Sequence, residues 1–205
     1  MTKVSVYIDG FNLYHLLGQY NRTTRTKPFN KYKWLDLVKL ANCYMLSKDH
    51  LVDIYYFTAL PTWKNTDKHK LYIQALQSTG VTVKEGRFQK VTRRCQLCGK
   101  DYVTHEEKKT DVNIAVQLLR DAYSDSYEKA MIISGDNDII PAIEAIKSQF
   151  PAKRISVVVP NKGFDIMNAS DEKHRIKEKH LAQSQLDNPI KTPTGILNCP
   201  QDWTK

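Results

Sequence analysis

The sequence predicts an α/β fold built on a mainly parallel sheet with helices on both faces. Three observations carry that expectation. Short β-rich runs alternate with segments of helical period between Lys3 and Pro160. The runs Ala130–Ile133 and Arg154–Val159 are almost unbroken in small, apolar or β-branched residues, as strands buried on both faces require. The sharpest motifs of the chain, around Asp9 and around Asp136, each follow such a run, at the edge where open α/β sheets bind ligands.

In chain order, Lys3-Val-Ser-Val-Tyr-Ile8 reads as the central strand and ends in Asp9-Gly10-Phe11-Asn12. Gly10 permits a turn that a side chain would obstruct, and Asn12 is suited to cap the next helix or to orient a carboxylate or a water. The segment Asn21-Arg-Thr-Thr-Arg-Thr-Lys27 reads as a basic loop near the first aspartate. Apolar spacing predicts a helix over 34–46, a strand over 51–60, a polar helix over 64–79 stopped by Gly80, and a third strand over 81–88.

Residues 89–107 break the rhythm with a basic hairpin insertion carrying Arg93-Arg94-Cys95-Gln-Leu-Cys98-Gly-Lys100. Two thiolates at that spacing can grip one zinc ion from a tight turn, with His105 as a third ligand. A structural site needs four ligands, so Cys43, Cys199 or a second copy of the chain would complete it. The competing reading is a pair of unligated reduced thiols. In the next segment Thr110 reads as a cap that places Asp111 in the first turn of a helix, where the dipole favours a carboxylate. The strand over 126–135 leads through Ser134-Gly-Asp136-Asn-Asp138 into a helix whose Pro141 suits a first turn. A fifth strand over 154–160 and a short helix over 164–170 follow. The charge run that begins at Asp171, and the prolines after it, predict a loosely ordered tail over 171–205 beyond a domain over 1–170.

The formal charge is +9, from 31 Lys and Arg against 22 Asp and Glu. That surplus favours a polyanionic partner such as nucleic acid, although the sharpest motifs are acidic. A basic exterior around a carboxylate pocket suits an enzyme that binds a phosphate backbone and cuts it with bound metal. No apolar run approaches the length of a membrane span, and the N-terminus lacks the apolar region of a signal peptide, so the expectation is a cytosolic protein.

Asp9, Asp111, Asp136 and Asp138 each fall at a strand's carboxyl end or a helix start, positions that share one edge of a parallel sheet. A helix cap explains any one of them. Four together on one rim need a cation, and all-oxygen ligands suit Mg²⁺ or Mn²⁺.

Three blocks, Asp9-Gly-Phe-Asn-Leu-Tyr14, Glu107-Lys-Lys-Thr-Asp-Val112 and Ile133-Ser-Gly-Asp-Asn-Asp138, resemble in order and spacing the signature blocks of NYN domains, members of the PIN-like nuclease superfamily. The resemblance implies a Rossmann-like three-layer α/β/α sandwich and a metal-dependent ribonuclease. It assigns Asp9, Asp111, Asp136 and Asp138 to the metal-binding set, with Asn12 and Ser134 hydrogen-bonding the acids or the attacking water. Gln117 departs from the pattern, since many members carry an aspartate there, and this puts a second metal site in doubt. Ile139 replaces an aromatic residue, with no evident consequence. The expected reaction is phosphodiester hydrolysis with one or two Mg²⁺ or Mn²⁺ ions. Lys108, Arg93 and Arg94 are the candidates for holding the backbone of single-stranded or looped RNA. Two rivals are an RNA-binding module that does not cut and a small-molecule phosphohydrolase. The second lacks its usual Asp-x-Asp after the first strand, because Gly10 and Phe11 follow Asp9. A homodimer sharing zinc at the cysteine pair is one of the ways in which that site could be completed, and the residues leave the oligomeric state open.

Overall fold

A computed structural model of the chain describes residues 1–18, 29–160, 163–193 and 195–203. The basic loop expected over 21–27 lies outside the described residues.

Six parallel strands form the main sheet, and the first is central. They are β1 (Thr2–Asp9), β2 (Asp49–Thr58), β3 (Thr82–Glu85), β6 (Lys129–Ile133), β7 (Arg154–Val159) and β8 (Glu172–Arg175), in the order β3-β2-β1-β6-β7-β8. Their side chains point alternately to two cores. Val4, Val6, Ile8, Met131 and Ile133 pack into one core with helices α1 (Gly10–Leu17), α2 (Leu37–Asn42), α3 (Asp67–Ser78) and α7 (Glu178–Gln183). Tyr7, Ala130, Ile132, Val157 and Val159 pack into the other with α4 (Thr110–Tyr123), α5 (Ile140–Gln149) and α6 (Phe164–Ala169). The result is the expected three-layer α/β/α sandwich. Among the described residues, no helix is long and apolar enough to cross a membrane.

The sheet carries one buried ionic contact away from the carboxyl edge. Lys129 Nζ lies 2.5 Å from Asp49 Oδ2 and 3.4 Å from Glu172 Oε2. It ties the start of β6 to β2 and β8.

Four local expectations need correction. The third strand over 81–88 is two strands, β3 in the sheet and β4 (Arg87–Arg94) in a separate antiparallel hairpin with β5 (Asp101–Lys108). The chain turns between them at Gly86, where an added methyl group would lie 2.7 Å from Thr110 Oγ1, so only glycine permits this approach. The helix over 34–46 contracts to α2. Asp36 caps it by accepting from the Lys39 backbone N–H at 2.9 Å, and Leu35 instead bridges to Gln185. Thr110 is the first residue of α4 rather than its cap; its hydroxyl donates to Glu107.

The fourth correction concerns the tail. Residues 172–175 form edge strand β8, and α7 and the hairpin β9 (Ile190–Thr192) and β10 (Gly195–Leu197) follow. Leu181, Leu186 and Trp203 are buried in the first core, with Trp203 against Tyr72 and Trp34. A charged edge strand has the composition of a solvated tail, because charge is what keeps an exposed edge from pairing with other chains.

Candidate functional site

Strand β1 delivers Asp9 to the carboxyl edge of the sheet with 1% of its surface exposed. Helix α1 starts at the next residue, with no intervening turn. A methyl group at Gly10 would lie 2.6 Å from the Phe57 carbonyl oxygen and 2.7 Å from the Tyr56 ring, so the glycine allows close packing on β2. Asp9 caps the helix: Oδ1 accepts from the Asn12 backbone N–H at 3.0 Å, and Oδ2 accepts from the Asn12 side-chain amide at 2.5 Å.

The edge of β6 is tied to the same carboxylate. The Ser134 hydroxyl donates to Asp9 Oδ2 at 2.8 Å and accepts from the Asp136 backbone N–H at 3.0 Å. The Gly135 N–H donates to Asn12 Oδ1 at 3.4 Å. Asp136 caps the short 3₁₀ turn Asn137–Ile139 by accepting from the Asp138 N–H at 3.0 Å. Asn12 and Ser134 therefore hold Asp9 against the loop bearing Asp136.

The first turn of α4 brings in Asp111. Carboxylate oxygens of Asp9, Asp111 and Asp136 all lie within 4.8 Å of one another. Two like charges at that separation repel by roughly 3 kcal/mol at an effective dielectric of ~20. The proton equilibria respond. Asp111 is pushed up to about 6, first by loss of water and then by Asp136, Asp9 and Asp138. Burial raises Asp9 as well, against the opposing effect of its hydrogen bonds from Asn12 and Ser134. A divalent cation would relieve this repulsion, and a donor set made only of carboxylate oxygens fits a hard ion of the Mg²⁺ or Mn²⁺ kind. Asp138 is close enough to raise Asp111 but stands outside the three-carboxylate cluster and is exposed.

Sequence reasoning missed Glu107. It is half-buried at the end of β5, raised first by desolvation and then by Asp9 and Asp111, so it belongs to the same acidic pocket. Its position four residues before Asp111, in the second signature block, was the available signal. Gln117 points elsewhere: its amide donates at 2.9 Å to the buried Asp121, which also accepts from the Tyr7 hydroxyl at 2.8 Å.

The hairpin register separates the basic candidates. Phe88, Lys90 and Arg94 pair with Glu107, His105 and Asp101, and so share one face. Arg93 and Lys108 stand on the other face, where both contact Glu106. Arg94 Nε donates to the Gly99 carbonyl at 3.0 Å, near the tip.

At that tip Cys95 and Cys98 form a tight knuckle. The Cys95 N–H donates to the Lys100 carbonyl at 2.8 Å, and the Gly99 N–H to the Cys95 carbonyl at 2.9 Å. Backbone N–H groups of Cys98 and Leu97 beside the Cys95 sulfur hold its thiol below the usual range. Among the described residues the cysteine pair gathers no third Cys, His, Asp or Glu. His105 is instead stacked on Trp63, and Cys43 and Cys199 pack against the first core.

Beside the carboxylates lies a cleft of about 290 Å³ lined by Gly10, Phe11, Tyr14, Trp63, His105 and Glu107, among others.

The family model described as NYN domain matches residues 3–177 of the chain. A curated relative, 6-hydroxy-3-succinoylpyridine 3-monooxygenase from Pseudomonas putida, is 26% identical across 98% of this chain and 75% of its own length. A crystal structure of a protein of unknown function from Vibrio parahaemolyticus superposes with a TM-score of 0.55 at 15% identity. It covers 90% of this chain and 96% of its own. That likeness concerns the fold.

Proposed function

The chain belongs to the NYN-domain family, and from that premise we propose that it is a metal-dependent ribonuclease acting on single-stranded or looped RNA. The observation that carries the reading is the convergence of Asp9, Asp111 and Asp136 within 4.8 Å at the carboxyl edge of the sheet. Those three would hold Mg²⁺ or Mn²⁺, with Asp138 acting from the rim. A bound ion supplies Lewis acidity at the scissile phosphate and a water acidified toward neutrality. The chain's own residues prepare the place. Asn12 and Ser134 fix both oxygens of Asp9, and Glu107 is held at the pocket by the Thr110 hydroxyl. Lys90 and Arg94, on the cleft-side face of the hairpin, are better placed than Lys108 and Arg93 to meet the phosphate backbone.

The test is cleavage of a mixed pool of structured and single-stranded RNA with Mn²⁺, wild type beside Asp136→Asn. Metal-dependent cutting that the variant loses supports the reading. RNA bound but uncut by wild type would favour the non-cleaving binding module. A second reading is favoured by the aromatic cleft beside the acids: the relative named for a pyridine substrate suggests a small heteroaromatic acid as ligand. The basic surplus of the chain favours RNA, and binding of such an acid in preference to RNA would reverse that choice.

We propose that the cysteine pair supplies half of a zinc site, and that the same pair of a second copy completes it in a homodimer. Metal analysis with solution mass tests this, the expectation being one zinc per two chains. A zinc-free monomer would overturn it.

A further inference from the structure

Beyond Tyr56 of β2, which belongs to the first core, the cleft beside the acidic pocket is built mainly of rings drawn from four separate parts of the chain. Helix α1 supplies Phe11, Tyr14 and His15, the loop after β2 supplies Trp63, α3 supplies His69, and the hairpin supplies Phe88 and His105. Trp63 lies flat on His105, with centroids 3.5 Å apart and planes at 15°, and meets Phe88 edge-on at 5.0 Å. Tyr14 and His69 stand 5.2 Å apart.

These rings are not core. Trp63, Phe11 and Tyr14 keep 43%, 42% and 39% of their surface exposed, and all three border one cleft. Large aromatic surfaces gathered around one concavity and left open to water mark a binding site. At about 290 Å³ the cleft sits at the small end of ligand pockets, which run from ~300 to 1,000 Å³.

The cleft has a polar edge as well as flat walls. Thr58, His69 and Glu107 line it. Burial, with Lys64, Lys33 and Lys68 nearby, lowers the His69 pKa, so the imidazole stays neutral and offers one donor and one acceptor. Cations stand around it: Lys64 lines it, and the Lys33 ammonium lies 4.8 Å from the Tyr14 ring centroid. Glu107 joins the cleft to the acidic pocket, since it lines the one and feels the fields of Asp9 and Asp111 in the other.

We propose that this cleft is a subsite for one unpaired nucleobase of an RNA strand, adjacent to the phosphate held at the acidic pocket. The inference deepens the nuclease reading and rests on it for the cut. Base binding itself rests on the cleft. Flat rings offer stacking to any base, the polar edge reads a base edge, and the surrounding lysines suit a polyanion. A base-paired nucleotide has both faces covered by its neighbours, so the cleft selects single strands and loops.

The probe is a short single-stranded RNA carrying one 2-aminopurine, titrated in EDTA so that nothing is cut. Wild type should quench its fluorescence by stacking. Trp63→Ala should weaken binding by about 5- to 150-fold, the loss expected for one base stack, and Trp63→Phe should restore most of it. Trp63 belongs to neither core, so the substitution leaves the fold intact. With Mn²⁺, Trp63→Ala should raise KM for single-stranded RNA, whereas Asp136→Asn should lose cleavage and keep the quenching. Quenching that depends on Trp63 in a protein that never cuts would uphold the base subsite and sink the nuclease reading. Three results would each overturn the subsite: no quenching by wild type, unchanged binding by Trp63→Ala, or duplex bound as tightly as single strand.

Discussion

If the three carboxylates are held together at a cost to the metal-free fold, Asp111→Asn should make the apo protein more stable. The rise of Asp111 from an ordinary 3.8 to about 6 corresponds to about 3 kcal/mol at 1.36 kcal/mol per pH unit. The residue is partly exposed, so solvent screening reduces that to roughly 1–2 kcal/mol. The sign follows from proton binding. Between about 3.8 and about 6 the folded chain holds a proton at Asp111 that the unfolded chain has released. Stability therefore falls as pH rises through that window, and the penalty is complete above it. An asparagine removes the penalty and forfeits ~0.3–1 kcal/mol of favourable interaction with the α4 dipole. The net gain at pH 7.5 in EDTA is about 1 kcal/mol, or ~2–4 °C in Tm for a chain of this size. Thermal and urea unfolding at pH 7.5 and at about pH 4 would measure it, with and without Mn²⁺. The gain should vanish at the lower pH, where wild-type Asp111 is already protonated. Added Mn²⁺ should stabilise wild type, by binding only the folded state, and should barely move the variant. A variant no more stable than wild type at pH 7.5, or a gain of the same size at both pH values, would refute the account of a strained carboxylate cluster.

Three further outcomes are expected. Ser134→Ala removes the hydroxyl that joins Asp9 to the Asp136 backbone. Losing a hydrogen bond to a charged group, worth ~1.5–3 kcal/mol, should lower kcat/KM for RNA about 10- to 100-fold, and an unchanged value in a Mn²⁺ titration would exclude this positioning role. Gly10→Ala should cost ~1–3 kcal/mol in urea unfolding, because its methyl group would collide with the Phe57 carbonyl at 2.6 Å; a neutral result would mean that α1 shifts freely on β2. Lys129→Met should cost ~3–5 kcal/mol by leaving Asp49 buried without its cation. The pair Lys129→Met with Asp49→Leu should recover most of that loss, and a double variant as unstable as the single one would mean that the ion pair itself is required.

The close cluster of Asp9, Asp111 and Asp136 was legible because each of the three has a signal within one element: Asp9 and Asp136 follow buried strands, and Asp111 opens a helix. A parallel sheet then places those ends on one edge without any further information. Asp138 carried the same local signal but lies one step out from the cluster, since the 3₁₀ turn that Asp136 caps carries it to the exposed rim. The tail was misread for the opposite reason. Its charged residues satisfy an edge strand that exists only because β7 is there to receive it, and its buried apolar residues, Leu181, Leu186 and Trp203, are each placed by contacts with distant parts of the chain.

The hairpin shows where reading a chain residue by residue stops. Arg93 and Arg94 are neighbours in sequence with the same charge, yet in a strand they must face opposite sides. Which one faces the cleft depends on the register between β4 and β5, and a slip of one residue would exchange them. The observed pairing puts Phe88, His105 and Glu107 inward, and Lys90 and Arg94 with them, while Arg93 and Lys108 are engaged by Glu106 on the outer face. The same register completes the aromatic cleft, because it sets His105 flat against Trp63 from a loop more than forty residues earlier. No local pattern announces that contact. The carboxylate cluster was therefore written in motifs, and the aromatic cleft beside it was written in the pairing of two strands.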